Sequence, residues 1–118
     1  MPKKKNNYET LMNLIIALYI LKILQQEPAY GNKLAAEIKR RTQDCYTPNT
    51  NALYPLLRKM EERGYIVGEW DSPMTRGKRI FTDGGIARRI PALEIMLQER
   101  INDVERRMKL LRTDLFGQ

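Results

Sequence analysis

Histidine is missing from this chain altogether, which removes the side chain most used as a general base near neutral pH and as a metal ligand. Cysteine occurs once, at Cys45, so neither an intrachain disulfide nor a thiolate metal cluster can form; a half-buried loop position is expected for it, with a reactive thiol as the lesser alternative. No glycines have the spacing of a phosphate-cradling loop, since Gly84-Gly85 and the isolated glycines match no fingerprint. Neighbouring carboxylates do occur at Glu61-Glu62, but Arg58, Lys59 and Arg63 surround them. Ion pairing along a helix accounts for them better than acid–base chemistry. These absences argue against an enzyme, and no catalytic residue, metal or cofactor is expected. A bilayer-spanning run is missing too. Leu11–Leu24 is interrupted by Asn13 and Lys22 and falls short of the roughly 20 apolar residues that a spanning helix needs. Gln25, Gln26, Glu27 and Pro28 follow it, not a small-residue cleavage site. The expectation is a cytoplasmic protein with no membrane partner.

What the chain has in excess is positive charge. Twenty-one Lys and Arg against 14 Asp and Glu give a net charge of +7 and a pI near 9.7. An acidic partner is favoured, nucleic acid first and a membrane surface second. The 118 residues suffice for one domain, or for a small domain with a long helix. A core of that size leaves apolar surface to be shared with a second copy.

Residues 1–7 form a basic, proline-containing tail, expected to be disordered. From Tyr8 to Gln26 the spacing predicts a helix with one stripe of Leu11, Leu14, Ile15, Leu18 and Leu21. A second stripe holds Met12, Ile16, Tyr19, Ile20 and Ile23. Apolar nearly all round, such a helix must be covered on more than one side, one of them by a partner subunit. Pro28 ends it. A second helix runs from Gly31-Asn32 to Arg41, with Lys39, Arg40 and Arg41 in the last turn where they complement the helix dipole. After a polar loop, Thr47 and Pro48 read as N-cap and first residue of a third helix, and Gly64 as its stop. Leu53, Leu56, Leu57 and Met60 share one face of it; Thr50, Asn51, Tyr54 and Arg58 share another. A helix reading a DNA major groove has this layout, and so does an ordinary amphipathic surface helix. Pro55 removes the bond to the Asn51 carbonyl at a cost of about 3 kcal/mol. The unbroken apolar spacing across it argues for one kinked helix.

Tyr65–Trp70 is rich in β-formers, Asp71–Lys78 is turn chemistry, and Arg79–Thr82 is a short returning strand. Together they predict a two-stranded hairpin with a basic tip. From Ile86 to Leu115 comes the longest helix. Leu93, Leu97, Ile101, Val104, Met108, Leu111 and Leu115 recur at spacings of three and four, a heptad-like seam between charged flanks. The fold class expected is mainly α with a small β-hairpin (α+β). Residues 8–85 form a winged helix-turn-helix, and residues 86–118 form a long C-terminal dimerisation helix.

Several blocks of this pattern are familiar. They are Ala29-Tyr30-Gly31; Asn51-Ala52-Leu53-Tyr54-Pro55-Leu56-Leu57-Arg58-Lys59-Met60-Glu61 with Gly64-Tyr65-Ile66; Trp70; Gly77-Lys78-Arg79; and the Thr82-x-x-Gly85 step. Over roughly Leu11 to Arg112 the chain resembles the PadR-like family of winged-helix transcriptional regulators. The LYPLL block with its following R-K-x-E-x-x-G is the specific part, and a proline after that tyrosine belongs to the family pattern. One stretch departs from it. The family carries an aromatic-rich strand of the form Y-Y-x-L-T-x-x-G, whereas this chain has Lys78-Arg79-Ile80-Phe81-Thr82-Asp83-Gly84-Gly85. Either Arg79 replaces an aromatic, or the strand has lost residues and Phe81 takes that place.

The resemblance implies a homodimeric, repressor-type regulator of double-stranded DNA that binds pseudo-palindromic operators, and, in some relatives, release on binding a small molecule. No residue here identifies such an effector. Asn49, Thr50, Asn51 and Tyr54 are the candidates for base edges, because asparagine can pair bidentately with adenine and a threonine methyl can meet a thymine methyl. Lys33, Thr47 and Arg58 are candidates for phosphate contacts, with Arg76, Lys78 and Arg79 on the wing; a solvated basic loop competes for each wing residue. Leu14, Leu18, Leu93, Leu97, Ile101, Val104, Met108 and Leu111 are the dimerisation candidates. Two-fold symmetry would set half-sites about 10 base pairs apart, or a multiple of that. The competing function is a winged-helix protein-interaction module without DNA binding, its long helix on a different chain.

Overall fold

Pro28 punctuates the first third of the chain, and the backbone on each side follows from it. Before it runs α1 (Asn7–Gln26), one residue longer than the spacing predicts. The computed structural model describes residues 7–72 and 78–118, with the side chains of residues 7–9 and of Thr50 left out. Residues 1–6 of the basic tail therefore lie outside the described residues, as does Arg76, while Asn7 opens α1. In α1 the buried side chains, Ile20, Leu21, Ile23 and Leu24, gather at the C-terminal end; Ile16, Ala17, Leu18 and Tyr19 pack against the core only in part. After Pro28 the chain is extended for two residues, β1 (Ala29–Tyr30), and then enters α2 (Gly31–Arg41). Leu34 and Ile38 of α2 are fully buried.

The connection to the third helix turns through Gln43 and Asp44, both left-handed with φ of 53° and 66°. The Thr42 hydroxyl donates to the Ile38 carbonyl at 2.8 Å and accepts the Tyr46 amide at 3.2 Å, which ties the turn to α2. Cys45 lies in this turn and is exposed rather than half-buried.

The third helix, α3 (Thr50–Glu62), starts later than Thr47 and Pro48 suggest. Its N-cap is Asn49, whose side chain accepts the Ala52 amide at 2.9 Å. Asparagine caps at least as well as threonine, and here it stands one residue before the first helical residue, so Thr47 and Pro48 belong to the loop. The far end closes as expected. Gly64 has φ of 75°, its amide bonds the Glu61 carbonyl, and the Tyr65 amide bonds that of Met60. This is the paired pattern of a Schellman stop. The helix continues through Pro55 because Leu53, Leu57 and Met60 are buried on either side of it.

The sheet has three antiparallel strands, not two. β2 (Ile66–Trp70) pairs along its length with β3 (Arg79–Asp83), from Ile66 opposite Asp83 to Trp70 opposite Arg79. β1 adds to the other edge of β3, Ala29 opposite Phe81 and Tyr30 opposite Ile80. The returning strand is thus five residues long; Arg79 opens it, and Phe81, two residues on, is its buried aromatic.

A 3-10 turn at Ala87–Arg89 precedes α4 (Ile90–Phe116). The helix begins at Ile90 rather than Ile86 because Pro91 occupies the first turn, where its fixed φ and missing N–H suit a helix start. The seam of α4 divides. Ile90 and Leu97 are buried and Leu93 is partly so; Leu97 and Ile101 line a groove with Ile15, Leu18 and Tyr19 of α1, and Lys22 pairs with Glu94 at 3.5 Å. Leu97 is therefore used inside its own protomer, not left free for a partner. Beyond Ile101 the seam is open, and the helix stretches the protein to 62 Å along its longest axis.

Candidate nucleic-acid interface

One side of α3 carries no core residue. Asn51, Tyr54 and Arg58 lie on it at spacings of three and four, all exposed. Asn49 caps the helix with its side-chain oxygen, so a bidentate pairing with adenine is open to Asn51 and not to Asn49 while the cap holds. The Thr50 side chain lies outside the described residues. Thr47 is exposed in the loop before the cap. Tyr54 rests its ring over the start of α2, where a Cβ on Gly31 would stand 3.0 Å from the ring edge. A glycine there is what lets the two helices approach at this corner.

Lys33 is exposed in the first turns of α2, and its ammonium lies 2.6 Å from the Glu27 carboxylate. That hydrogen bond raises its pKa further above the usual lysine value. Lys33 therefore meets any phosphate with a counter-charge already in place. On the wing, Lys78 is exposed.

Arg79 has different partners from those the sequence suggests. Its guanidinium forks onto Glu61 of α3, at 2.8 and 2.7 Å to the two carboxylate oxygens, and donates to the Gly68 carbonyl at 2.7 Å. The same group lies 5.6 Å from the centre of the Trp70 ring and 5.9 Å from that of Phe81. A side chain held on four sides within its own protomer is a brace between helix and wing, not an open phosphate ligand. Gly68 is part of the brace, because a Cβ there would stand 2.9 Å from Arg79, Glu61 and Phe81 alike. Glu61 is correspondingly not paired with its helical neighbours, as its sequence context suggests, but with the wing.

Between α3 and the wing lies a groove of about 390 Å³, walled by Tyr30, Tyr54, Arg58, Trp70, Lys78 and Arg79. The Tyr30 hydroxyl donates to Asp71 at 3.2 Å, and that bond pushes the phenol pKa up. Tyr30, Glu61 and Trp70 line this groove too, although sequence reasoning names none of them as a DNA contact. Trp70 carries the one available signal, a large aromatic at the end of a strand beside a basic turn. Among the described residues no group of acidic or sulfur side chains could hold a metal ion, and no helix is long and apolar enough to cross a membrane.

Comparison with known proteins agrees with this geometry. A family profile described as "Transcriptional regulator PadR-like family" matches residues 20–87. Comparison with curated protein sequences returns no match. Among solved structures, a PadR family transcriptional regulator from Eggerthella lenta aligns at 25% identity and TM-score 0.65, covering 90% of this chain and 88% of that one. A PadR-like transcription factor from Bacteroides fragilis aligns at 22% identity and TM-score 0.61, over 86% and 98%. A protein from Thermoplasma acidophilum aligns at 20% identity and TM-score 0.72, over 86% and 95%. The matched segment takes in more than half of the chain, from the buried end of α1 through α3 and the β2–β3 hairpin to the turn before α4, and so the chain belongs to the PadR-like family of transcriptional regulators.

Proposed function

We propose that this protein works in the cytoplasm as a homodimeric repressor that reads a pseudo-palindromic operator. The observation that carries the dimer is the open half of the α4 seam, where Val104, Met108 and Leu111 are 38%, 54% and 51% exposed. An apolar ridge on a projecting helix is a surface that a second copy covers well. Residues 8–85 would then form the reading head and residues 86–118 the clasp, with Leu14, Leu18 and Ile101 at the edge of the contact. Asn51 and Tyr54 meet base edges, Arg58 and Lys78 meet phosphates, and the clasp holds two such heads a fixed distance apart. Occupying a promoter is by itself enough to block transcription, so repression needs no further surface. A small-molecule effector would find its natural seat in the apolar groove between α1 and α4, beside the clasp, where it could change how the two heads are spaced.

The test is a titration on labelled genomic fragments, including those flanking the coding region. Asn51→Ala should cost about 1–3 kcal/mol on the preferred fragment and relax the preference. Lys78→Ala should weaken binding to all fragments alike and lower the salt slope by about 1. A chain that sediments as a monomer and ignores every fragment would favour a protein-interaction module instead.

A further inference from the structure

Trp70 is the only tryptophan of the chain, and it stands 59% exposed at the last position of β2. Core packing does not account for it, since it takes no part in the buried cluster. Its position is set by Arg79, 5.6 Å from the ring centre and itself pinned by Glu61 and the Gly68 carbonyl. Tyr54, 45% exposed, forms another wall of the same groove. Arg58 and Lys78 also line it, and neither has an ion-pair partner among the described residues. The groove acid Glu61 is already neutralised by Arg79.

Exposed aromatic faces and two open cations on the walls of one groove suit the two parts of a nucleic-acid backbone, deoxyribose and charged phosphate. We infer that this groove seats one sugar–phosphate strand of the duplex as it passes between recognition helix and wing. Trp70 and Tyr54 pack on deoxyribose, while Arg58 and Lys78 hold the flanking phosphates. Arg79 is a positioning residue: it discharges Glu61 and steadies the indole without touching DNA. The inference rests on the DNA-binding reading above and adds Trp70 to it.

A single tryptophan makes the test direct. The full chain is titrated with an end-labelled duplex while label anisotropy and indole emission are followed together. Emission should change in step with anisotropy. Trp70→Ala should weaken binding roughly tenfold at every salt concentration, the loss of one buried aromatic face, with an unchanged salt slope and an unchanged thermal melt. Trp70→Phe should recover most of that loss, and Arg79→Gln should shift the emission of the free protein. Saturating anisotropy with constant indole emission would overturn the groove assignment while leaving DNA binding intact. No change in anisotropy would remove the DNA-binding reading and this inference with it. Emission that responds to a mononucleotide but not to bound duplex would make the groove a small-molecule site and overturn the strand assignment.

Discussion

At the scale of single residues, two glycines show how unequal one missing Cβ can be. Gly64 has φ of 75° with open space around it, so Gly64→Ala meets only the conformational cost of a left-handed residue, about 1 kcal/mol. A Cβ on Gly84 would stand 2.3 Å from the Gly64 carbonyl oxygen and 2.7 Å from the Tyr65 backbone. Backbone cannot swing aside as a side chain does, and the Gly84 amide bond to the Tyr65 carbonyl at 3.0 Å would be strained with it. Gly84→Ala should therefore lose about 3 kcal/mol or more in a urea melt; equal losses for the two variants would show that the turn relaxes freely. Gly64 is legible in the sequence because it follows the last periodic residue of a helix, a local signal. Gly84 is not, because what crowds it comes from a segment nearly twenty positions earlier. Arg79 fails for the same reason. A cation beside a turn looks like a phosphate ligand until the fold brings Glu61 across to it.

Among the elements, the second helix ends in three basic residues whose function the dipole explains only in part. Arg40 and Arg41 both reach back to Glu37, at 2.9 and 3.3 Å, and Arg41 also holds the Gln26 side chain at 3.1 Å. The hydrogen bond from Arg40, with help from Arg41, holds the Glu37 carboxyl below its ordinary pKa. A native value below the unfolded one means that the stabilisation is complete above the ordinary carboxylate range, about pH 4. It disappears as pH falls through the lower native value. Glu37→Gln should therefore melt lower than wild type at neutral pH, with the gap closing in acid and in high salt; a gap that persists in both would mean that shape rather than charge matters at this position. The helices themselves are legible to within a few residues, since their periodicity is written along the chain. The β1 strand is not, because two residues have no period and their partners lie some fifty positions away. The α3 start shifts from Thr47 to Asn49 because two good caps stand close together and it is the Asn49 side chain that takes the Ala52 amide.

For the molecule as a whole, the two halves of one long helix differ in their cover. Leu97 is sealed against α1, whereas Met108 and Leu111 are more than half exposed. Replacing Met108 and Leu111 together by Glu should abolish the proposed dimer without unfolding the head. Sedimentation would then give the 13.9 kDa of one chain with the thermal melt of the head kept, and DNA binding would fall to that of a single half-site. A wild-type chain that already sediments at that mass would exclude the clasp. Leu97→Ala should instead lower the melt, since it opens a cavity inside the protomer. The periodicity makes the seam visible but does not reveal that its first half is covered at home, because the stripe that covers it belongs to another helix.

The two-residue strand beside β3 has a mechanical consequence. From Ala29 the chain passes through α2, α3 and β2 into β3, and there Phe81 and Ile80 pair back with Ala29 and Tyr30. α3 and the β2–β3 hairpin are thus links of one closed circuit. Neither can tilt without pulling on the other, so under the proposed function the ordering that a looser jaw would undergo upon gripping its target would be complete once the chain has folded.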